Sequence, residues 1–155
     1  MRAFVQRVLS ASVSIDGAVH GSIGPGLMVL LGVARDDGPK DVEWLAAKLL
    51  ALRIFEDAEG RMNRSVVDTG GGILLVSQFT LHAETRRGNR PGFSAAARPG
   101  LAEPLYQSMA ARLAAALGPG RFGTGVFGAR MEIAMVADGP VSIPLDTDWM
   151  RGGEA

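Results

Sequence analysis

The sequence predicts a single α/β domain, and three observations carry that expectation. The run "LMVLLGVA" at 27–34 is too uniformly apolar for a strand with one wet face, so it reads as a central strand covered on both sides. Two segments, Val42 to Leu52 and Leu101 to Leu117, repeat apolar residues about one helical turn apart. The first third and the C-terminal stretch show apolar runs divided by Gly, Pro and Asp turns. At 155 residues the chain is one domain's worth, expected to occupy residues 1–150, with 151–155 as a C-terminal tail.

Taken in order, Val5 to Ile15 is rich in Val, Ser and Ile and reads as a strand. Asp16-Gly17 is a strong hairpin signal, and "AVHGSI" returns before a Gly24-Pro25-Gly26 turn. After the central strand, Pro39 suits the first turn of a helix with Asp37 or Gly38 as its cap. Val42, Leu45, Ala46, Leu49 and Leu52 line one face of it, which needs a sheet to lie on. A short "RIF" strand, the polar turn "EDAEGRMN" and the corner Gly70-Gly71-Gly72 lead into "ILLVSQFTL", an apolar strand that turns polar at its C-terminal end. Residues 83–99 read as a loop carrying Arg86, Arg87, Arg90 and Arg98 among small residues. The second helix, Leu101 to Leu117, stops at Gly118. "RMEIAMVAD" and "VSIPL" then read as a final strand pair with Gly139-Pro140 between them, and Pro144 marks an edge strand.

Lys+Arg and Asp+Glu number 16 each, so no global field draws the protein onto nucleic acid or anionic lipid, and any such contact needs a local patch. With no cysteine, disulfides, thiolate catalysis and Cys-ligated zinc are excluded. The two histidines, His20 and His82, lie far apart in sequence, so neither a metal nor another cofactor is expected. No signal-peptide core or membrane-length apolar run occurs, and the expected location is the cytoplasm, with no membrane partner.

Three stretches invite a chemical reading. In "VSQFTL" a buried strand presents Ser77, Gln78 and Thr80, and freed backbone N–H groups at a strand end suit oxyanion stabilisation. The alternative is that Ser77 and Thr80 merely satisfy local backbone groups as the strand ends. A Ser-His-Asp triad is hard to assemble, since no G-x-S-x-G elbow exists and His82 reads as a surface loop histidine. The arginine loop fits either phosphate contacts or a solvated, mobile segment. Of four Gly-Pro pairs, three are explained as a turn, a helix start and a helix stop, and spacing alone leaves Gly139-Pro140 as a turn too.

Larger stretches carry a resemblance. "MRAFVQRVLSASVSIDGAVHGSIGPGLMVLLGV", "LRIFEDAEGRMNRSV", "LLVSQFTLHAETRRGNRPGFSAAARP", "GVFGARMEI" and "DGPVS" resemble, in order and spacing, the D-aminoacyl-tRNA deacylase family, from Met1 to about Asp146. The resemblance implies an α/β fold with a barrel-like β-sheet and two main α-helices, working as a homodimer with active sites at the subunit interface. It implies hydrolysis of the ester that joins a D-amino acid, or glycine mischarged on tRNA-Ala, to the 3′-terminal adenosine, as chiral proofreading in translation. Ser77, Gln78, Phe79 and Thr80 of one subunit would form the catalytic segment, and Gly139 and Pro140 of the other the substrate-binding one. The Gly139-Pro140 peptide should then be cis, with Arg7 bracing it, and Arg86, Arg87 and Arg90 should touch the tRNA backbone.

Two stiff carbonyl acceptors facing the substrate's α-ammonium leave no room for an L side chain, so selection works by clash, and glycine passes. Backbone donors around Phe79 and Thr80 would hold the oxyanion. The family also offers Thr80 as a nucleophile, but no base is evident beside it, so the tRNA 2′-hydroxyl is expected to activate water. Ala137 stands where the family often has Asn, which removes a loop-bracing amide, and Ser142 where it often has Thr. The competing classes are a catalytically silent RNA- or nucleotide-binding dimer on the same scaffold and a small-molecule-binding dimer.

Overall fold

The structure, a computed structural model describing residues 1–151, hangs its sheet on one long strand, β1 (Arg2–Ile15). The second half of β1 pairs antiparallel with β2 (Ala18–Ile23), and its first half with β3 (Gly26–Gly32). The hairpin turns at Asp16-Gly17, both at positive φ as a tight two-residue reversal requires. β3 then pairs in parallel with β6 (Gly72–Ser77), and β6 with β7 (Phe122–Thr124). Parallel neighbours need long crossovers. These are α1 (Pro39–Ala51), followed by the small hairpin β4 (Phe55–Glu56) and β5 (Met62–Arg64), and then α2 (Pro99–Leu117). The last long strand, β8 (Glu132–Asp146), runs antiparallel along the other edge of β1, and α3 (Asp148–Arg151) closes the described chain.

Alternation divides the core into two layers. Leu27, Val29, Leu31, Ile73 and Leu75 face both long helices, whereas Met28, Leu74 and Val76 face the inside of the curled sheet. The central strands are therefore buried on both faces, as their uniform apolarity predicts. Leu45 and Leu49 of α1, fully buried, are each worth about 1.5–3 kcal/mol of burial. In β1, Ala3 and Val5 point toward the helices, but Val8, Ala11 and Val13 point inward. The switch of parity comes from a bulge at Leu9, where the register against β8 slips between Val8 and Ser10.

The sheet curls until β2 approaches β7, and two glycines permit it. A Cβ on Gly21 would lie 2.7 Å from the Thr124 carbonyl oxygen, and one on Gly123 would lie 3.2 Å from the Ser22 nitrogen. The result is the nearly closed, barrel-like sheet that the resemblance implies.

Several expectations need correction. "RMEIAMVAD" and "VSIPL" are one strand, β8, and Gly139-Pro140 does not reverse it. Between the pairs Gln6–Ser142 and Val8–Ala137, β8 bulges outward while β1 runs straight on, so pairing with β1 carries the strand past the Gly-Pro. The strand expected to reach Leu81 stops at Ser77 and gives way to a 3₁₀ turn, Phe79–His82. His82 is buried, only 4% exposed, not on the surface. β7 has no counterpart in the sequence reading, and the "RIF" strand is displaced to Phe55–Glu56, where it pairs with β5 inside the segment read as a turn. Gly38, not Asp37, caps α1, and its N–H donates to Asp41 Oδ2 at 2.9 Å. The tail expected over 151–155 lies, from 152 onward, outside the described residues.

Candidate active site

β6 delivers Ser77 to Thr80 by running out of partners. The Gln78 N–H still donates to the Leu31 carbonyl at 2.7 Å, the last rung shared with β3. The chain then turns, with Leu81 N–H reaching back to the Gln78 carbonyl at 3.3 Å and Ala83 N–H to the Thr80 carbonyl at 3.1 Å. The first N–H groups of a helical turn lack an internal acceptor. Accordingly the N–H groups of Phe79 and Thr80 have no acceptor among the described residues. Ser77 and Gln78 are half-buried, whereas Phe79 and Thr80 are exposed. The Gln78 side-chain amide donates to Thr80 Oγ1, so that hydroxyl is already engaged as an acceptor.

This segment forms one wall of a cavity of about 610 Å³. Ser77, Gln78 and Phe79 line it, as do Phe93, Tyr106 and Phe127. Phe79 and Phe93 meet edge to face, ring centroids 5.0 Å apart. Tyr106 is pinned at the floor, its hydroxyl donating to the Leu75 carbonyl at 2.9 Å and lying 3.0 Å from Thr124 Oγ1. Burial pushes the Tyr106 phenol above its ordinary pKa, and the Thr124 hydroxyl only partly opposes that. Tyr106 is therefore a structural wall, not an acid or base at neutral pH.

Gly139-Pro140 lies elsewhere. The peptide is cis, both residues are exposed, and neither lines the cavity. One copy of the chain therefore does not bring the two motifs together there. Behind the pair stands Arg7, buried, whose Nη1 donates to the Ile54 carbonyl at 2.6 Å. Its Nε lies 3.0 Å from Asp138 Oδ2 and 3.4 Å from the Asp138 carbonyl oxygen. Gly139 sits at φ 120°, and a Cβ on it would come within 2.8 Å of Val141 Cγ2. Asp138 is a brace that sequence reasoning did not single out.

The arginine loop is closed at its base, where Glu84 and Gly92 exchange both backbone hydrogen bonds at 2.8 and 3.0 Å. Arg86, Arg87 and Arg90 line a separate open depression with Glu84. Glu84 pairs loosely with Arg86, at 3.6 Å, and no carboxylate among the described residues pairs with Arg87 or Arg90. His82, the last residue of the 3₁₀ turn, presents a buried Nε2 with no hydrogen-bond partner among the described residues. Its pKa is lowered first by burial and then by the Arg2 and Met1 cations, while the Gly32 backbone and Asp37 pull the other way. Enclosed and without a hydrogen bond to Thr80, it does not replace the missing base there. The aromatic walls were not legible in sequence either, because Phe93, Tyr106 and Phe127 come from three separate segments.

Comparison with known proteins accords with this arrangement. A family described as D-Tyr-tRNA(Tyr) deacylase matches residues 4–146. A D-aminoacyl-tRNA deacylase from Opitutus terrae is 60% identical over 147 residues, covering 95% of this chain and 97% of the relative. Another from Anaeromyxobacter dehalogenans is 57% identical over 148 residues, covering 95% and 97%. Among solved structures, one described as c-Myc DNA Unwinding Element Binding Protein superposes with a TM-score of 0.89 at 41% identity, covering 94% of this chain and 98% of that one. A probable eukaryotic D-amino acid tRNA deacylase, 18% identical, shares the fold with a TM-score of 0.80 over 93% and 97%. Both the 3₁₀ turn and the braced Gly-Pro fall inside the matched span, and the chain belongs to the D-aminoacyl-tRNA deacylase family.

Proposed function

We propose that this protein is a hydrolase that cleaves the ester between a D-amino acid and the 3′-terminal adenosine of tRNA, and likewise clears glycine mischarged on tRNA-Ala. The observation that carries the reading is the pair of unengaged N–H groups, Phe79 and Thr80, on a turn whose Ser77, Gln78 and Phe79 line an apolar cavity. Attack of water on the ester carbonyl places negative charge on one oxygen, and two rigid donors in a partly dry site stabilise that charge without reorganising. Ser77 and Gln78 order the turn that aims them.

The Thr80 hydroxyl accepts from Gln78 and has no base beside it, so it is a poor nucleophile. The vicinal 2′-hydroxyl of the substrate assists water instead. An aminoacyl ester is activated enough for that route.

Handedness is judged by the Gly139-Pro140 segment of a second copy. β8 pairs only with β1 and presents exposed Ile133, Met135 and Val136 along its length, with Leu9 exposed at the bulge of β1. An apolar open strand edge of this kind is normally covered. A homodimer covers it and brings a second Gly139-Pro140 to the first copy's catalytic turn. Its carbonyl oxygens accept from the α-ammonium, and Arg7 with Asp138 keeps them in place. Arg86, Arg87 and Arg90 hold the tRNA backbone without reading sequence. No described helix is long and apolar enough to cross a membrane, and a substrate made during translation places the work in the cytoplasm.

The test is to incubate the protein with a D-aminoacyl-tRNA and follow free amino acid against time. Release of amino acid at catalytic protein concentrations is expected. Binding of the tRNA without release would instead indicate a silent RNA-binding dimer.

A further inference from the structure

Arg98 has no role in the machinery above, and its position is unfavourable for a surface arginine. It stands immediately before α2, where its side chain makes no capping hydrogen bond. Ser, Thr, Asp or Asn at that position would cap the helix, and a cation there opposes the helix dipole. No acidic side chain among the described residues pairs with it. What its position does offer is the cavity. Among the described residues Arg98 is the sole charged residue lining that space, and no acidic residue lines it. The other walls include Phe79, Phe93, Phe127 and Met131.

An apolar, aromatic-walled space with a single cation on its lining suits a flat base joined to one anionic group. We propose that Arg98 binds the phosphodiester linking the terminal adenosine of the substrate to the nucleotide before it, while the adenine occupies the cavity. This deepens the deacylase reading and rests on it. The contact registers the 3′ end. With the base among the aromatics and its 5′ phosphate on Arg98, the ester-bearing ribose edge is left facing the Phe79 and Thr80 donors. It is separate from the depression lined by Arg86, Arg87 and Arg90, which shares no lining residue with the cavity.

The test uses two minimal esters, D-aminoacyl-CpA, which keeps only that phosphodiester, and D-aminoacyl-adenosine, which lacks it. Arg98→Gln should raise KM for the dinucleotide ester about three- to tenfold, leave kcat within error and leave the adenosine ester unaffected. Arg98→Ser should do the same while raising thermal stability, because it restores the helix cap; Arg98→Lys should recover part of the affinity. Equal effects on both esters, or no effect on either, would overturn the assignment. Wild-type protein that hydrolyses neither these esters nor a full D-aminoacyl-tRNA would overturn the deacylase reading itself, and the role of Arg98 with it.

Discussion

Thr80 Oγ1 accepts a hydrogen bond from Gln78, and that one contact separates two chemistries for this site. A nucleophilic threonine would need a base to take its proton, and His82, buried and without a hydrogen bond to Thr80, does not supply one. Thr80→Val should therefore keep the deacylation rate within about tenfold of wild type in single-turnover assays, whereas loss of an essential nucleophile costs several orders of magnitude. A substrate ending in 2′-deoxyadenosine should be cleaved far more slowly by both proteins. His82 itself sets a pH limit. Its folded-state pKa lies below the ordinary 6.5, so the unfolded chain binds the proton more readily than the folded one. The stability this confers is fully present above about pH 6.5 and is lost as pH falls below it toward the folded-state pKa. Thermal melts from pH 8 to pH 5 should show a downward trend that His82→Leu makes shallower.

Among the elements, the ends of β6 and the middle of β8 show how pairing creates function. β6 stops pairing at Ser77 and frees two donors, and β8 bulges opposite Arg7 and pushes Gly139-Pro140 out of the ladder. Arg7→Met should leave a folded protein with at least about tenfold lower D-over-L selectivity, because the charge-assisted bonds to Asp138 and Ile54 are gone. Closure of the barrel is as specific. Gly21→Val should cost about 1–3 kcal/mol in denaturant unfolding, since any side chain there meets the Thr124 backbone.

Both long helices and both central strands were legible in the sequence because their periodicity is local. β7 was not, since Phe-Gly-Thr is three residues long and becomes a strand only beside Leu74. Nor was the continuity of β8, because Gly139-Pro140 reads as a reversal until β1 is placed beside it. His82 looked like a loop residue for the same reason. Gly32 on a different strand leaves the space it fills, with the imidazole Cδ2 3.0 Å from where a Cβ would stand. The roles of Ser77 to Thr80 came from the family likeness, whereas the free N–H groups and the Gln78–Thr80 contact needed the fold.

For the whole molecule, Ser77 to Thr80 and Gly139-Pro140 lie apart on one chain, so under the proposed function activity should follow the dimer. Sedimentation should give a dimer for the wild type. Val136→Glu, on the exposed edge of β8, should give a folded monomer with little deacylase activity. tRNA binding should weaken as salt rises, despite the neutral net charge, and each of Arg87→Gln and Arg90→Gln should reduce the salt slope by about one.

Handedness decides the matter most directly. A single tRNA charged in parallel with the D and the L form of the same amino acid should lose the D form within the assay and retain the L form as if no protein were present. Release of both forms at similar rates would contradict selection by a main-chain clamp.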